Sequence, residues 1–383
     1  MKFMYNYLIF IYEVATIFTI SSREHLFIKI SYSQDFLIPT IDMKIKNKNL
    51  TVILDNNLNF NYITTKSFNL ADINFHYNND QINIKDKIYQ AYFYIGDLTI
   101  FDEKNYIHLE NFNSFVIDDK TLISSVTISY LLQQLKEESF INKKIFHLDI
   151  NNKICYFGEV PLNSGLISQI LSYDNYICTT FYSNNTKGIF KQKLNYLFIG
   201  TKCLFLNKIV SFFINEYYII VPYPLLNEIL KELGSIIDCN LFLIDQRGIY
   251  GIKCLKNDII KLQNMYFVFE NNYTFNIPLY LLFEDYDENY KVSLFRNKLK
   301  YRSVSFEDNE EIIIGYSLIK YFNYSIFSYD ERSVSFYSDL FIDNHPPKFP
   351  YKIISFLLIF LVCLLGIASL FLIFIKYQKS FYI

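Results

Sequence analysis

The chain has 383 residues, which is enough for one large domain or two of medium size. Its hydrophobic content of 51% excludes an intrinsically disordered chain. The formal net charge is only −2, and acids and bases are spread along the chain without a basic stripe, which argues against a nucleic-acid-binding protein.

The first 22 residues are predicted to be a signal peptide. Lys2 precedes an apolar stretch from Tyr7 to Ile20, and two serines follow it. Glu13 interrupts the apolar stretch, so an uncleaved membrane anchor is the alternative. In either case the segment directs the chain into the secretory pathway, to the endoplasmic reticulum, a downstream compartment or the cell surface.

Residues 37–340 have the pattern of a mainly β ectodomain. Short apolar or alternating runs are separated by clusters of Asn, Asp, Lys and Ser, which is typical of strands joined by turns. The clearest strand predictions are Ile41–Ile45, Leu50–Leu54, Ile88–Ile95, Ile145–Ile150 and Met265–Phe269.

Two segments, 128–138 and 224–233, instead have helical periodicity. Their predicted buried residues are Ile128, Leu131, Leu132 and Leu135 in the first helix and Leu226, Ile229, Leu230 and Leu233 in the second. The similarity of the two helices indicates two related halves. Residues 50–63 and 208–221 support this interpretation, because each contains an apolar strand, a short polar interruption and a strand rich in aromatic and aliphatic residues.

The C-terminal region is predicted to anchor the chain in a membrane. Residues 341–352 contain three prolines and are expected to form an extended stalk. Residues 353–375 are uncharged and apolar, and a helix of this length reaches roughly 35 Å, enough for a hydrocarbon core of about 30 Å. A buried core helix is the alternative. Together with the signal peptide, this span predicts a single-pass type I topology with a cytosolic tail at 376–383.

Six cysteines are present, and Cys363 lies in the predicted membrane span. No C-x-x-C spacing occurs, which argues against a zinc ribbon or a thioredoxin-type site. In an oxidising compartment disulfides are expected, and Cys239 with Cys254 is the first candidate. Sequons for N-glycosylation permit a glycoprotein and are found at Asn49, Asn184, Asn272 and Asn323.

Four stretches, taken in order, resemble the pepsin-like aspartic proteases, with the plasmepsins the most similar among them. The stretches are 50–63, 129–161, 210–234 and 310–339, and the last follows the family's C-terminal ending, including Gly315. The resemblance implies a bilobal fold with two short helices. The expected N-terminal β lobe covers 37–175 and the C-terminal β lobe covers 176–340, with a peptide cleft between them.

The pepsin-like family hydrolyses peptides with two carboxylates that share one proton, one on each of two turns. The matching turns in this chain are Asp55-Asn56-Asn57 and Phe213-Ile214-Asn215. The resemblance therefore implies that Asp55 is a remnant of the catalytic pair and that Phe213 replaces its partner. Glu216, directly after the second turn, is predicted to be a turn residue rather than a substitute acid.

Other positions that the family uses are altered as well. Tyr62 replaces a tryptophan, and Ile84 replaces the flap tyrosine that covers the substrate. The glycine-rich segment behind the first cleft wall aligns with Asp118-Asp119-Lys120. Losses at several separate functional positions indicate that catalysis was abandoned while the fold was kept.

The predicted function is that of a membrane-anchored, catalytically inactive pepsin-like homologue whose cleft binds a lumenal or extracellular peptide or protein. No metal and no cofactor is predicted. One alternative is a divergent aspartic endopeptidase that uses Asp55 with an unexpected partner. A second alternative is an unrelated β-rich receptor or adhesion ectodomain, in which the turns around Asp55 and Phe213 would not face each other.

Overall fold

The structure, a computed structural model, describes residues 28–32, 37–45, 48–58, 60–64, 79–84, 87–101, 106–119, 122–160, 177–182, 190–200, 202–245, 248–270, 273–297, 311–338, 342–343, 360–362 and 364–369. The predicted signal peptide at 1–22 and the predicted tail at 376–383 lie outside these residues.

Strands make up most of the described chain. In chain order they are β1 (Ile28–Ser31), β2 (Thr40–Ile45), β3 (Lys48–Asp55), β4 (Tyr62–Thr64), β5 (Asn79–Ile84), β6 (Lys87–Phe101), β7 (Tyr106–Ile117), β8 (Ser125–Thr127), β9 (Ile145–Asp149), β10 (Ile154–Phe157), β11 (Ile177–Tyr182), β12 (Lys191–Ile199), β13 (Lys202–Phe212), β14 (Ile219–Val221), β15 (Cys239–Asp245), β16 (Ile249–Leu255), β17 (Asn264–Phe269), β18 (Thr274–Pro278), β19 (Phe283–Asp285), β20 (Tyr290–Ser293), β21 (Phe295–Asn297), β22 (Ile312–Ile314), β23 (Tyr324–Ser328), β24 (Ser333–Ser338) and β25 (Ile342–Asp343). Each strand predicted from the sequence falls on an observed strand.

Helices are few and short within the described residues up to Asp343. They are α1 (Ile128–Glu137), α2 (Tyr223–Gly234), α3 (Lys256–Ile259), α4 (Tyr316–Ile319) and a 3-10 helix at Leu279–Leu282. The two predicted helices are confirmed as α1 and α2, and the four predicted residues of α1 are the buried ones. In α2, Leu225 is buried in place of the predicted Leu230, which is half-buried. The one-turn helices α3 and α4 were not predicted, because four residues are too few to display a period.

The strands described above form four sheets. A seven-stranded sheet from the first half has the order β2-β3-β8-β4-β7-β6-β5, and β2 also pairs with β6. The second half forms an eight-stranded sheet, β21-β14-β22-β13-β12-β17-β18-β25, and a four-stranded sheet, β15-β16-β20-β19. A six-stranded sheet, β1-β10-β9-β23-β24-β11, draws strands from both halves, and its β9 pairs with β23.

The two halves repeat one strand arrangement. In the first half β3 runs parallel to β8, and β4 lies antiparallel to β8. In the second half β13 runs parallel to β22, and β14 lies antiparallel to β22. The segments involved are those that the sequence comparison of 50–63 with 208–221 paired, so the prediction of two related halves is confirmed for these strands.

The two long helices do not occupy equivalent positions in the two halves. Helix α1 directly follows β8, and its positional counterpart is α4, which directly follows β22. Helix α2 instead follows β14. Both α1 and α2 carry an apolar stripe because both pack one face against the core, and such a stripe reports burial rather than position in the topology.

The chain forms one compact unit up to Asp343 and a separate one from Asn344 onward. Ile342–Asp343, at the start of the predicted stalk, form β25 and pair with β18.

In the predicted membrane span, residues 360–362 and 364–369 are helical, and the others lie outside the described residues. Among the residues that the structure describes, no helix has both the length and the apolar character to cross a bilayer. The transmembrane helix therefore stays a prediction.

Candidate functional site

The two turns that the sequence identified meet in the structure. The Nδ2 of Asn56 donates a hydrogen bond of 2.8 Å to the carbonyl oxygen of Phe212, and the backbone N–H of Ile214 donates one of 3.1 Å to the Oδ1 of Asn56. Both bonds join the end of β3 to the end of β13. Parallel pairing of β3 with β8 and of β13 with β22 brings each turn to the end of its sheet.

Asp55 ends β3 and its side chain is 4% exposed. Its Oδ1 accepts hydrogen bonds from the backbone N–H groups of Asn57, at 2.7 Å, and Leu58, at 2.9 Å. A tight turn whose backbone N–H groups bond the carboxylate therefore follows Asp55.

Phe213 is the structural counterpart of Asp55. Tyr62 lies opposite Ser125, and Ile220 lies opposite Ile313, so these two pairs occupy the same place in the two halves. Asp55 and Phe213 precede Tyr62 and Ile220 by the same number of residues. A phenyl ring therefore stands where the two-carboxylate mechanism requires a second acid.

The side chain that reaches Asp55 from the second turn is Asn215. Its Nδ2 donates a hydrogen bond of 2.7 Å to the Oδ2 of Asp55. The Oδ1 of the same amide is buried and accepts no hydrogen bond within the described part of the chain. A carboxamide of the second turn thus makes the side-chain contact with Asp55.

Two tyrosines, the buried Tyr62 and the partly buried Tyr329, are near enough to Asp55 for its charge to raise their pKa values. Burial raises the pKa of Tyr62, and the charge of Asp55 raises it further. The pKa of Tyr329 is raised well above its usual value for the same two reasons, and its hydroxyl forms no hydrogen bond among the described residues. Tyr62 was identified from the sequence as a site residue, whereas Tyr329 was missed, because it is distant in the chain and belongs to no motif.

The predicted flap is the β5–β6 hairpin, in which Ile84 pairs with Lys87. Its tip, residues 85–86, lies outside the described residues. Ile84 is 2% exposed and packs in a small apolar cluster that also contains Tyr62. Ile84 and Tyr62, the residues at the predicted flap and tryptophan positions, thus belong to the same apolar cluster.

Glu216 directly follows the second turn, and its backbone contacts the start of α4. Its carbonyl oxygen accepts a hydrogen bond of 2.6 Å from the N–H of Tyr316. A Cβ at Gly315 would lie 2.6 Å from the carbonyl oxygen of Glu216 and 2.7 Å from that of Tyr217, so only glycine fits there.

The first-half counterpart of Gly315 is Thr127, and not the segment at Asp118 that the sequence alignment selected. Thr127 and Gly315 each lie two residues after an equivalent strand residue, Ser125 and Ile313. The sequence alignment missed Thr127 because it selected the segment at Asp118, which directly follows β7. The connection from β7 to β8 lies between that segment and Thr127. The hydroxyl of Thr127 donates a hydrogen bond of 2.7 Å to the carbonyl oxygen of Phe60.

Asn61 is a further residue that the sequence did not indicate. Its Oδ1 accepts a hydrogen bond of 2.8 Å from the N–H of Thr127, and its Nδ2 donates one of 2.9 Å to the carbonyl oxygen of Asn113. The side chain therefore ties the loop after Asp55 to β8 and β7. In an Asn-rich chain, no local signal distinguishes such a residue from a solvent-exposed asparagine.

Comparison with known proteins shows the fold. The chain is similar to basic 7S globulin from soybean (TM-score 0.61, 10% identity, 81% of this chain and 94% of that chain) and to conglutin gamma, a basic 7S globulin from lupine seeds (0.62, 10%, 82% and 95%). It is also similar to the aspartic proteinase from Irpex lacteus (0.62, 8%, 82% and 98%). No protein-family model and no curated protein matches the chain. The chain thus has a mainly β, pepsin-like fold.

The alternative of an unrelated β-rich receptor or adhesion ectodomain required that the turns around Asp55 and Phe213 do not face each other. The hydrogen bonds from Asn56 to Phe212 and from Asn215 to Asp55 contradict that arrangement. What the site offers chemically is one carboxylate, a carboxamide within hydrogen-bonding distance and apolar and phenolic walls. These groups can accept hydrogen bonds from a ligand and donate hydrogen bonds to it. They lack a second carboxylate at Phe213, the position equivalent to Asp55.

Proposed function

We propose that this protein is a membrane-anchored protein of pepsin-like fold that binds a lumenal or extracellular peptide or protein without hydrolysing it. The observation that carries the proposal is the phenyl ring of Phe213 at the position equivalent to Asp55. This ring neither takes a proton from water nor gives one to a leaving amine, so the two-carboxylate mechanism has no acid at that position.

The location in the cell belongs to the same proposal. The apolar stretch near the N-terminus and the uncharged run at 353–375 support a single-pass type I protein of the secretory pathway. Asn49, in one of the sequons, has an exposed side chain, which supports a glycoprotein. A closer kinship with the plasmepsins is part of the proposal and is supported by the four matching stretches of sequence.

One assay tests binding and hydrolysis together. The full chain in detergent is incubated with a mixed peptide library between about pH 3 and pH 7, the range in which carboxylate pairs act. Bound and free peptides are then identified by mass spectrometry. We expect a subset of peptides to be retained at full length. New peptide ends that depend on Asp55 would contradict the proposal, and so would the absence of any retained peptide.

The residues of the flap cluster supply the matched variants. Replacement of Ile84 by Asp places a charge in the apolar cluster around Tyr62 and is expected to reduce peptide retention about tenfold, because a charge in an apolar site is costly. Tyr106→Ser is the control, because this tyrosine is 78% exposed at the start of β7. Equal retention by both variants would place the ligand elsewhere.

A divergent endopeptidase is the second candidate, and the contact of Asn215 with Asp55 is what favours it. A carboxylate can take a proton from the attacking water and then, as the C–N bond breaks, give that proton to the leaving amine, while an adjacent amide N–H stabilises the negative oxygen of the intermediate. In that case peptide hydrolysis would be observed and would disappear in both Asp55→Asn and Asn215→Ala. The library assay separates this candidate from the binding protein, because only cleavage produces new peptide ends.

A further inference from the structure

We propose that Asp55 and Asn215 form a positioning pair that joins the two turns, so that the retained carboxylate now holds the site together. The two residues are 160 positions apart in the chain, and their side chains meet at 2.7 Å. This inference concerns the stability of the turn pair and goes beyond the proposed binding function, because it holds whether or not a peptide binds.

The hydrogen bonds of Asp55 assign one oxygen to each turn. Its Oδ1 accepts the backbone N–H groups of Asn57 and Leu58, which belong to its own turn. Its Oδ2 accepts the Nδ2 of Asn215, which belongs to the other. Hydrogen bonds to a charged acceptor are stronger than neutral ones, and a buried carboxylate needs its donors.

The orientation of the Asn215 amide follows from the role of Asp55 as a hydrogen-bond acceptor. A carboxylate only accepts, so the amide must present its Nδ2 to Asp55, and its Oδ1 then faces the buried side without a hydrogen bond in the described residues. A residue chosen only to fill the turn would not have to bury an unsatisfied oxygen. The arrangement is explained if the bond to Asp55 outweighs that cost.

Asn56, the neighbour of Asp55, also joins the two turns. Asn56 accepts from Ile214 and donates to Phe212, and so bonds the same two chain segments through its own amide. The Asp55–Asn215 bond therefore acts between turns that are already adjacent, which lowers the entropic cost of forming it.

The experiment is an exchange of the two side chains, measured as the equilibrium constant of denaturant unfolding of the full chain in detergent at neutral pH. Asn215→Asp sets two carboxylates against each other and is expected to raise the unfolding constant about 30-fold or more. Asp55→Asn is expected to change it less than about threefold, since the Asn215 amide can turn and offer its free Oδ1 to the new donor. The double exchange, Asp55→Asn with Asn215→Asp, is expected to be at least about fivefold more stable than Asn215→Asp alone, because one amide again faces one carboxylate. It should remain less stable than the wild type, because the carboxylate at position 215 has no backbone donors.

Asn57→Asp is the matched control. It adds the same carboxylate beside Asp55, but Asn57 bonds Asp55 through its backbone N–H, so no side-chain donor is lost.

The pH dependence gives a second readout. The rise in the unfolding constant caused by Asn215→Asp, but not that of the exchanged pair, should shrink as the pH falls toward 4, because two facing carboxylates can then share a proton. Tyr62 and Tyr329 stay neutral over this range, since both pKa values are raised.

Two outcomes would overturn the proposal. In the first, the exchanged pair is as unstable as Asn215→Asp alone. In the second, the alanine variants of Asp55 and Asn215 have effects on the unfolding constant that add in the double variant, which shows that the side chains do not interact. The alanine cycle remains available if Asn215→Asp fails to fold.

Discussion

At the residue scale, His147 is a buried imidazole with both ring nitrogens occupied. Its Nε2 lies 3.0 Å from the carbonyl oxygen of Gly158, and its Nδ1 lies 3.0 Å from the hydroxyl of Tyr324. A carbonyl only accepts, so Nε2 carries the proton and Nδ1 accepts from the tyrosine. The neutral ring satisfies both contacts, and burial lowers the pKa of His147 to about 4.

The protein should therefore lose stability in acid through His147. The unfolded chain binds this proton near pH 6.5 and the folded chain only near pH 4, so stability falls as the pH is lowered through this window. The full effect is about 3 kcal/mol, of which most is lost by about pH 4.5. Denaturant unfolding of the wild type and of His147→Gln, which keeps a neutral donor and acceptor, measures it.

The control for this prediction is His108→Gln, because the side chain of His108 is 53% exposed. The loss of stability between neutral and acidic pH should be smaller in His147→Gln than in the wild type and unchanged in the control. Equal losses in all three proteins would mean that other groups cause the acid sensitivity.

At the element scale, the hairpin of β15 and β16 confirms the predicted disulfide. Cys239 lies directly opposite Cys254 in the antiparallel register, and the two sulfur atoms are bonded. The bridge closes a loop with a sequence separation of 15 residues. Among the described cysteines, Cys155 and Cys203 are free thiols.

Removal of this bridge has a predictable cost. Replacing Cys239 and Cys254 together by alanine should lower the free energy of unfolding by about 3 kcal/mol. The reason is that a loop of about 15 residues regains its conformational entropy in the unfolded chain. Cys203→Ala is the control, because this half-buried cysteine forms no disulfide. A double variant as stable as this control would show that the hairpin is held by its strand pairing alone.

The turn between β22 and α4 depends on glycine. In Gly315→Ala the new Cβ would meet the carbonyl oxygens of Glu216 and Tyr217, and backbone atoms cannot move aside as a flexible side chain can. We expect a loss of about 2–3 kcal/mol in the free energy of unfolding. Gly234→Ala, at the end of α2, should be nearly neutral or slightly stabilising, since nothing lies within 4 Å of its added Cβ.

At the scale of the whole molecule, the six-stranded sheet makes the fold a single unit. Strand β9 comes from the first half and β23 from the end of the second, and they pair through five residues from Ile145–Asp149 to Tyr324–Ser328. Because the two turns lie at the ends of separate sheets, the shared sheet is what keeps them close enough for Asn56 and Asn215 to bridge them. A pepsin-like fold is thereby maintained at about 10% identity to its structural neighbours.

Membrane anchoring is also a prediction about the whole molecule. The full chain expressed in cells should stay in the membrane pellet after alkaline carbonate extraction, because the run at 353–375 is long enough to span a bilayer. Two arginines introduced at Leu361 and Leu365 should release it, since a charge near the bilayer centre costs about 2.5–3.5 kcal/mol or more. Complete extraction of the unaltered chain would contradict the anchor.

The sequence by itself determined the local features of this protein. Strand alternation, the helical periods of α1 and α2 and the turn residues around Asp55 depend on neighbours within a few residues of one another, and the opposed cysteines of β15 and β16 are only 15 residues apart. The order of four family-like stretches was sufficient to predict a pepsin-like fold. It was also sufficient to match Phe213 with Asp55, and the two residues occupy equivalent positions in the structure.

Only the tertiary structure decided which distant side chains meet. The contact of Asn215 with Asp55 and the position of Tyr329 near that carboxylate follow from strand order and register. The same strand order makes Thr127 the counterpart of Gly315 and α1 the counterpart of α4. Register depends on every strand of a sheet at once, and a shift of one residue exchanges the side chains of its two faces. For that reason a single segment of sequence cannot specify its partner across the molecule.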